Sequence, residues 1–311
     1  MYSTHKPSGE HLCRLKALRD SLKVIVATTE EEAKAMAPEV EIILGHRYLR
    51  QCLAVARRLR WVQSSAGGVD QLPCEGLASR GILLTRTTLS SSVIARHAIT
   101  LAWALTRGLP QAFKLQASRR WDPAGVSFLS MPRQALVLGM GCIGRTLAAQ
   151  LRSEGLRVIG VKRTLDESVR AWCDDLRDTQ TWQSALPEVD WCFVALPLTE
   201  TTRHFVDETV MRALPAHAVL VNVGRGEVLD TEALIRVLND GHLGGVALDV
   251  VEKQPLHSDD SLWQAPRLLI TPYVAAHEPN RAAALERFFE SQVQRYLDGE
   301  PLEDVVVFDK Q

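Results

Sequence analysis

The sequence predicts an α/β protein of two domains, each with a parallel β-sheet covered by helices. Three observations lead to this prediction. The chain has 311 residues, and domains of ~150 residues are common, so about two domains are expected. Short apolar runs rich in Val, Ile and Leu recur along the chain, and helix-compatible stretches separate them. Continuous apolar strands that alternate with helices are typical of parallel sheets buried on both faces.

The composition limits the kinds of partner and of environment. The chain has 36 Lys and Arg residues against 37 Asp and Glu residues, a net charge of −1. Because nucleic acids and anionic membranes are bound by basic surfaces, we expect neither as a partner. The 46% of hydrophobic residues excludes wholesale disorder, and no apolar run reaches the ~18 residues of a membrane span. Residues 1–20 are polar, lack the apolar core of a secretory signal and have no assigned role.

The cysteines give no sign of a metal site or of a disulfide framework. The six are scattered and form no C-x-x-C pair: Cys13, Cys52, Cys74, Cys142, Cys173 and Cys192. We therefore expect no metal, and a cytoplasmic location in which thiols stay reduced.

The N-terminal part of the chain is expected to be an α/β unit. Strands are predicted at 23–29, 40–45, 59–64 and 81–85, and helices at 30–37, 49–58 and 70–80. A long helix begins at Ser91 or Ser92, whose hydroxyl can cap it, and ends at Gly108 and Pro110. Its length suggests a connector between two domains.

The middle of the chain returns to the same alternation. Strands are predicted at 133–139, 156–161, 190–196, 218–223, 244–250 and 267–272. This pattern is typical of a doubly wound sheet. A last helix, roughly 280–298, is expected to return to the N-terminal unit, because chain ends often lie close together. The predicted domains are therefore 1–92 with 280–311, and 93–279.

A glycine-rich turn predicts a dinucleotide site. The apolar run QALVLG leads into Gly139, Gly141 and Gly144, with Cys142 and Ile143 between the last two, and a helical pattern follows. In such a turn the first glycine permits a tight bend, the second lets the backbone approach a pyrophosphate, and the third lets helix and strand pack closely. Free amides at the start of the helix then bind the phosphates. A glycine turn without a ligand is the alternative.

The next predicted strand ends in Lys162, Arg163 and Thr164, where NAD-binding folds carry an acidic residue for the ribose hydroxyl. A carboxylate would repel a 2′-phosphate, whereas these cations would attract one. The site therefore predicts NADP(H) in preference to NAD(H). Two exposed charges at a strand end are the alternative.

Arg225 stands between two glycines in the segment VNVGRGEVLD, residues 221–230. The segment follows a predicted parallel strand, at the sheet edge where such folds bind ligands. A guanidinium can bind a carboxylate through two parallel hydrogen bonds, so Arg225 is the candidate for an anionic substrate. A surface arginine in a turn is the alternative.

Taken together, the motifs resemble the D-isomer-specific 2-hydroxyacid dehydrogenase family, closest to its glyoxylate/hydroxypyruvate reductase-like members. The similarity extends over nearly the whole chain after residue ~20. The segments that support it are RWVQSSAGGVD (60–70), GMGCIG (139–144), ALPLTETTRHFV (195–206), VNVGRGEVLD (221–230), GVALDVVEKQPL (245–256) and SLWQAPRLLITPYVAAH (261–277).

The resemblance implies two Rossmann-like domains with the active site in the cleft between them, and hydride transfer between a nicotinamide and C2 of a 2-oxo or 2-hydroxy acid. It also implies a homodimer. Arg225 would bind the substrate carboxylate and the reacting oxygen. The remaining implied contacts are Leu196, Pro197, Thr202, Val223, Gly224 and Asp249 with the cofactor, and the backbone amides of Ser65, Ala66, Gly67 and Gly68 with the substrate carboxylate.

Two positions depart from the catalytic trio of Arg, Glu and His that the resemblance implies. Gln254 stands at the Glu position, and Tyr273 at the His position. A tyrosine hydroxyl can donate a proton, and Gln254 beside it would leave no buried unpaired charge, so we expect Tyr273 to be the proton donor. Tyr273 could instead only fill space in a weakened site. His277, four residues further on, is a substitute acid or a rim histidine.

Two functions of different classes follow from these residues. The first is an NADP(H)-dependent reductase of a small 2-oxo acid, such as glyoxylate or hydroxypyruvate. The second is a nicotinamide-binding sensor or corepressor-like protein whose catalysis is vestigial.

Overall fold

The computed structural model describes residues 1–4 and 6–308. The chain forms two compact units: a terminal unit (Met1–Ser90 with the chain from Glu278 onward) and a central unit (Ser91–His277). These limits lie two residues from the expected boundaries at 92/93 and 279/280. Each unit contains a parallel β-sheet, which confirms the predicted α/β class.

Three short strands form the sheet of the terminal unit, in the order β1-β2-β3: β1 (Ile42–Leu44), β2 (Trp61–Gln63) and β3 (Leu83–Thr85). The first residues of the chain extend this sheet. Tyr2 bridges both Val26 and Leu44 in parallel, and its N–H donates to the Ile25 carbonyl at 2.9 Å. The strand expected over 23–29 is therefore wrong in its extent, since Val26 alone forms a bridge there. Its partner, Tyr2, lies in the N-terminal segment to which the sequence assigned no role.

The helices of the N-terminal part are short: α1 (Gly9–Ala17), α2 (Glu30–Met36), α3 (Leu49–Cys52) and α4 (Cys74–Ala78). A capping box between Thr29 and Glu32 fixes the start of α2. The helix expected over 49–58 ends early, because turn hydrogen bonds replace helical ones after Cys52.

The central unit is built on a seven-stranded parallel sheet with the order β10-β9-β8-β7-β4-β5-β6. The strands are β4 (Gln134–Leu138), β5 (Arg157–Val161), β6 (Asp175–Arg177), β7 (Trp191–Val194), β8 (Val219–Asn222), β9 (Gly245–Leu248) and β10 (Leu268–Ile270). Strands β4, β7, β8 and β9 are buried along their whole length, as apolar runs predict. Strand β6 was missed, since Asp175-Leu176-Arg177 at the sheet edge has no apolar run.

The helices of the central unit are α5 (Ser91–Thr106), α6 (Leu109–Ala117), α7 (Cys142–Ser153), α8 (Glu167–Arg170), α9 (Glu208–Ala213) and α10 (Thr231–Asn239). Helices α5 and α7 pack on one face, and α9 and α10 on the other. Pro110 does not simply end α5. It lies in the first turn of α6, where its missing N–H costs no hydrogen bond. In the described part of the chain, no helix is both long and apolar enough to cross a membrane.

The last helix, α11 (Arg281–Asp298), belongs to the terminal unit and buries Leu285, Phe289 and Val293. Helix α1 packs against it. The Ser8 hydroxyl donates to Glu286 at 2.8 Å, and His11 Nδ1 lies 2.5 Å from Glu290 Oε1. Residues 1–20 are therefore not an extension without a role, because they supply a bridging strand segment and a packed helix.

Candidate active site

The glycine-rich turn joins β4 to α7 in the manner that a dinucleotide site requires. Gly139 has a φ of +101°, and a side chain there would lie 2.7 Å from the Ala195 carbonyl oxygen. At Gly144 a Cβ would overlap the Gly139 carbonyl, so helix and strand can approach only through a glycine. A Cβ at Gly141 would meet no atom within 4 Å. The second glycine thus faces open space, as a pyrophosphate-binding position must.

The start of α7 supplies the donors for such a group. The helix begins at Cys142, with Ile143 and Gly144 in its first turn, and Gly141 precedes it without a side-chain cap. The first amides of an α-helix have no partner within the helix, and the helix dipole favours an anion there. The turn therefore fits the phosphates of a dinucleotide.

The basic strand end after β5 contains a carboxylate that sequence reasoning missed. Lys162 Nζ donates to Asp166 Oδ2 at 3.0 Å. Hydrogen bonds from Ser168 and Lys162 lower the pKa of Asp166 to about 2, so this carboxylate is charged at neutral pH. Arg163 and Thr164 are exposed. The sequence signal for this pair is an acidic residue four positions after Lys162, beyond the end of the strand.

Leu196, Pro197 and Thr202 form a turn directly after β7. The Thr202 hydroxyl donates to the Pro197 carbonyl at 2.7 Å, and the Thr199 N–H donates to the Thr202 hydroxyl at 2.8 Å. A Cβ at Gly139 would lie 3.2 Å from the Leu196 side chain, and one at Gly224 would lie 2.7 Å from the Leu196 carbonyl oxygen. Leu196 thus lies beside both the glycine turn and the segment that contains Arg225.

The backbone on either side of Arg225 is tightly packed. A Cβ at Gly226 would overlap the carbonyl of Val251, and a Cβ at Gly224 would also lie too close to the Leu196 backbone. Both flanking glycines are therefore required by close backbone contacts, which fix where the partly buried Arg225 leaves the sheet edge. The Arg225 Nη1 atom also donates to the Gly224 carbonyl at 2.9 Å.

Asn222, the last residue of β8, holds this turn and was not predicted as a site residue. Its side-chain nitrogen donates to the Arg225 carbonyl at 2.8 Å, and its side-chain oxygen accepts the Gly224 N–H at 3.0 Å. Asn222 is fully buried. The Asn222 side chain thus holds the backbone of Gly224 and Arg225 through both its nitrogen and its oxygen.

Asp249 follows β9, and its buried carboxylate is engaged by the loop after β10. Oδ1 accepts the Thr271 hydroxyl at 2.6 Å and the Val274 N–H at 3.0 Å, and Oδ2 accepts the Ala275 N–H at 3.0 Å. His97 Nε2 lies 3.5 Å from Oδ1. Burial alone would raise the pKa of Asp249, but the hydrogen bonds from His97, Thr271 and the two amides outweigh burial and hold the pKa below its usual value.

Tyr273 lies in that loop with a φ of +57°, a conformation that non-glycine residues rarely adopt. Its N–H donates to the Asp249 carbonyl at 3.0 Å, and its side chain is 59% exposed. The expected pairing with Gln254 is not formed through a hydrogen bond. The Gln254 side chain donates to the Val251 carbonyl at 3.2 Å, and no hydrogen bond joins it to Tyr273 among the residues that the structure describes.

His277 is exposed and lies in a turn rather than a helix, so helical spacing does not bring it beside Tyr273. Its N–H donates to the Val274 carbonyl at 2.8 Å. A second histidine contact was not foreseen: His204 Nε2 lies 3.5 Å from Glu252 Oε1. Glu252 thus contacts His204, which lies outside the Tyr273 loop.

The serine–glycine loop (residues 64–68) of the terminal unit follows β2. The Ala66 N–H donates to the Ser64 hydroxyl at 3.1 Å, so this amide is used within the loop and is not one of the free donors that were expected. His46 Nδ1 lies 3.0 Å from the same hydroxyl, and burial lowers the His46 pKa. Gly67 and Gly68 are exposed.

Comparison with known proteins identifies the family. The family model for "D-isomer specific 2-hydroxyacid dehydrogenase, NAD binding domain" matches residues 99–275, which are nearly the whole central unit. The chain belongs to this family. A glyoxylate reductase of Thermococcus gammatolerans is 30% identical over 234 residues, which cover 71% of this chain and 68% of that protein. The expected enzyme class, a 2-hydroxyacid dehydrogenase with an NAD-binding domain, is confirmed at the level of the family.

Solved structures give the same fold. The PH0520 protein from Pyrococcus horikoshii OT3 has a TM-score of 0.83 and 26% identity, over 98% of this chain and 94% of that one. A probable 2-hydroxyacid dehydrogenase from Rhizobium etli CFN 42, solved with NADP, HEPES and L(+)-tartaric acid, has a TM-score of 0.78 and 25% identity, over 98% and 97% of the two chains. The 2-hydroxyacid dehydrogenase family thus accounts for both α/β units.

Proposed function

We propose that the protein reduces a small 2-oxo acid, such as glyoxylate or hydroxypyruvate, with NADPH as the hydride donor. The observation that carries this proposal is the fixed position of Arg225. A buried amide side chain and two closely packed glycines hold it at the end of β8, in the unit that contains the dinucleotide turn. A cation held this firmly suits an anionic ligand.

The proposed reaction has two parts. NADPH transfers a hydride to C2 of the 2-oxo acid and becomes NADP⁺, and a proton is added to the carbonyl oxygen. Arg225 binds the substrate carboxylate and the reacting oxygen, and its charge stabilises the negative charge that grows on that oxygen. The loop at Ser65, Gly67 and Gly68 is the proposed second anchor for the carboxylate. Leu196, Pro197, Thr202, Val223 and Gly224 are the proposed cofactor contacts.

Tyr273 is the proposed proton donor, because it is exposed and Asp249 holds its loop by hydrogen bonds. Gln254 and His277 are assigned as flanking residues, and His277 is the substitute acid to be tested. Asp249 is proposed both to hold the Tyr273 loop and to face the nicotinamide, although its carboxylate already accepts hydrogen bonds from that loop.

The NADP(H) preference is supported by Lys162 and Arg163 and opposed in part by Asp166. Lys162 must share its charge between Asp166 and a 2′-phosphate. The preference is proposed because Lys162 and Arg163 stand where NAD-binding folds carry an acidic residue that would repel a 2′-phosphate. The Rhizobium etli relative, solved with NADP, is consistent with it.

The decisive experiment follows oxidation of NADPH and NADH with a panel of 2-oxo acids, using the wild type, Tyr273→Phe, His277→Ala and Arg225→Ala. Arg225→Ala should abolish turnover, and Tyr273→Phe should lower kcat by about 10²-fold if it removes general acid catalysis. Full activity in Tyr273→Phe with an inactive His277→Ala would assign the proton to His277. NADPH binding without turnover of any acid would favour the sensor function instead.

A homodimer is proposed as the working form. No residue of α6 is buried, and exposed apolar side chains lie on and after this helix, namely Leu109, Phe113, Trp121, Phe128 and Met131. A second copy of the chain would cover them. Light scattering after gel filtration should give twice the chain mass for the wild type and a smaller mass for Phe113→Glu with Trp121→Ser. A cytoplasmic location stays a prediction.

A further inference from the structure

We infer that Arg281 is a specificity-determining residue that binds the carboxylate of the substrate at the serine–glycine loop (residues 64–68). This inference rests on the proposed function and deepens it. Arg281 is the first residue of α11 and is half-buried, and its Nη2 donates to the Ser65 carbonyl at 3.2 Å. The guanidinium therefore lies against the loop that is the proposed anchor for the carboxylate.

The charge of Arg281 is not neutralised in the described part of the chain. No carboxylate forms an ion pair with it there, whereas Arg14 and Arg295 pair with Glu290 and Glu300. A guanidinium has five N–H donors, and one hydrogen bond to a carbonyl leaves the others available. A planar carboxylate is the group that matches such a donor set.

The loop itself offers donors to the same ligand. The N–H groups of Ser65, Gly67 and Gly68 make no hydrogen bond with any residue that the structure describes, although the Ala66 N–H is used by Ser64. Neighbouring backbone N–H groups in a turn form a concavity that binds anions. Cation and amides together thus select a negatively charged ligand.

The placement of Arg281 is unfavourable for the helix alone. The first turn of α11 contains no acidic residue, and Asn280 before it makes no side-chain cap. A cation at a helix N-terminus opposes the helix dipole. The helix itself therefore gives no reason for a positive charge at this position, whereas a bound anion would interact favourably with both the guanidinium and the helix end.

The test compares Arg281→Gln and Arg281→Lys with Arg287→Gln, an exposed arginine on the same helix. Arg281→Gln should raise KM for the 2-oxo acid about tenfold or more, the usual size for a lost charged hydrogen bond. The kcat and the KM for NADPH should stay within about twofold, since the lost contact binds ground state and transition state alike. Arg281→Lys should recover part of the loss, and Arg287→Gln should match the wild type.

A second measurement, calorimetric titration with oxalate, does not depend on turnover. Oxalate should bind the wild type and Arg287→Gln, and more weakly Arg281→Gln. If the wild type reduces no 2-oxo acid, the proposed function fails, but the oxalate titration still decides the role of Arg281. Equal oxalate affinity in the wild type and Arg281→Gln, no oxalate binding at all, or an unchanged KM in Arg281→Gln would overturn this inference.

Discussion

The Thr271 hydroxyl donates to Asp249 Oδ1 at 2.6 Å, a contact between the end of β9 and the loop that contains Tyr273. The same carboxylate accepts two backbone N–H groups of that loop, at Val274 and Ala275. The Asp249 carbonyl also accepts the Tyr273 N–H. Asp249 is therefore the residue that fixes the left-handed conformation of Tyr273.

Asp249→Asn should release the Tyr273 loop. An amide nitrogen would face N–H donors, and each unpaired buried donor costs about 1–3 kcal/mol in the free energy of unfolding. We also expect kcat to fall by about 10²-fold, because a small displacement of a catalytic group is costly. Urea unfolding and steady-state kinetics measure the two effects. Thr271→Val should show a smaller loss of both, and the exposed Asp20→Asn should show neither.

The stability supplied by Asp249 should depend on pH in a defined direction. Its pKa is lower in the folded protein than the ordinary ~3.9 of an unfolded aspartate. The carboxylate therefore stabilises the fold fully above about pH 4, and this contribution is lost as the pH falls through the folded pKa. The gap in unfolding midpoint between the wild type and Asp249→Asn should thus narrow from pH 6 to pH 3. A gap that stays constant would contradict this role of the charge.

Asp166→Asn should increase the preference for NADPH over NADH. The substitution frees Lys162 for a 2′-phosphate, while asparagine can still cap α8 as aspartate does. We expect the ratio of kcat/KM for the two cofactors to rise about threefold, because surface ion pairs are weak and screened. Glu167→Gln is the matched control, since Glu167 pairs with Arg170 instead. An equal rise in the control would show a general effect of net charge.

The sequence predicted the central unit better than the terminal unit, for a physical reason. Strands β4, β7, β8 and β9 are buried on both faces, so each appears as an unbroken apolar run. The segment at Tyr2 pairs through single bridges with Val26 and Leu44, and its composition resembles that of a polar tail. Its place in the sheet depends on contacts with distant residues, which local patterns do not contain.

The site residues also fall into two groups, those that the sequence could predict and those that it could not. Gly139, Gly141 and Gly144 could be assigned roles from spacing alone, because backbone conformation and close packing restrict those positions to glycine. Asn222 and Asp166 could not. Their importance comes from hydrogen bonds with particular partners, and neither residue lies at a position that spacing marks as special.

Asn222→Ala should impair substrate binding by Arg225, although the arginine itself is unchanged. The change leaves the Gly224 N–H without its acceptor and frees the Arg225 carbonyl, so the guanidinium loses its fixed direction. We expect kcat/KM for the 2-oxo acid to fall at least about tenfold and the unfolding free energy to fall by about 1–3 kcal/mol. Asn222→Asp, which keeps the acceptor, should recover part of the activity. A loss of stability with unchanged kcat/KM would assign Asn222 to structure alone.

Glu290→Ala should show that the first 20 residues are part of the fold. Glu290 of α11 faces His11 Nδ1 at 2.5 Å and Arg14 Nε at 3.0 Å, both on α1. Because His11 is fully buried, loss of its partner leaves a polar ring nitrogen unpaired in the interior, at a cost of about 1–3 kcal/mol. Urea unfolding should register this loss.

Glu300→Ala is the control. It removes an exposed partner of Arg295 and should leave the unfolding midpoint almost unchanged, since such pairs contribute little. Equal midpoints for both variants would mean that α1 does not stabilise the terminal unit through this contact.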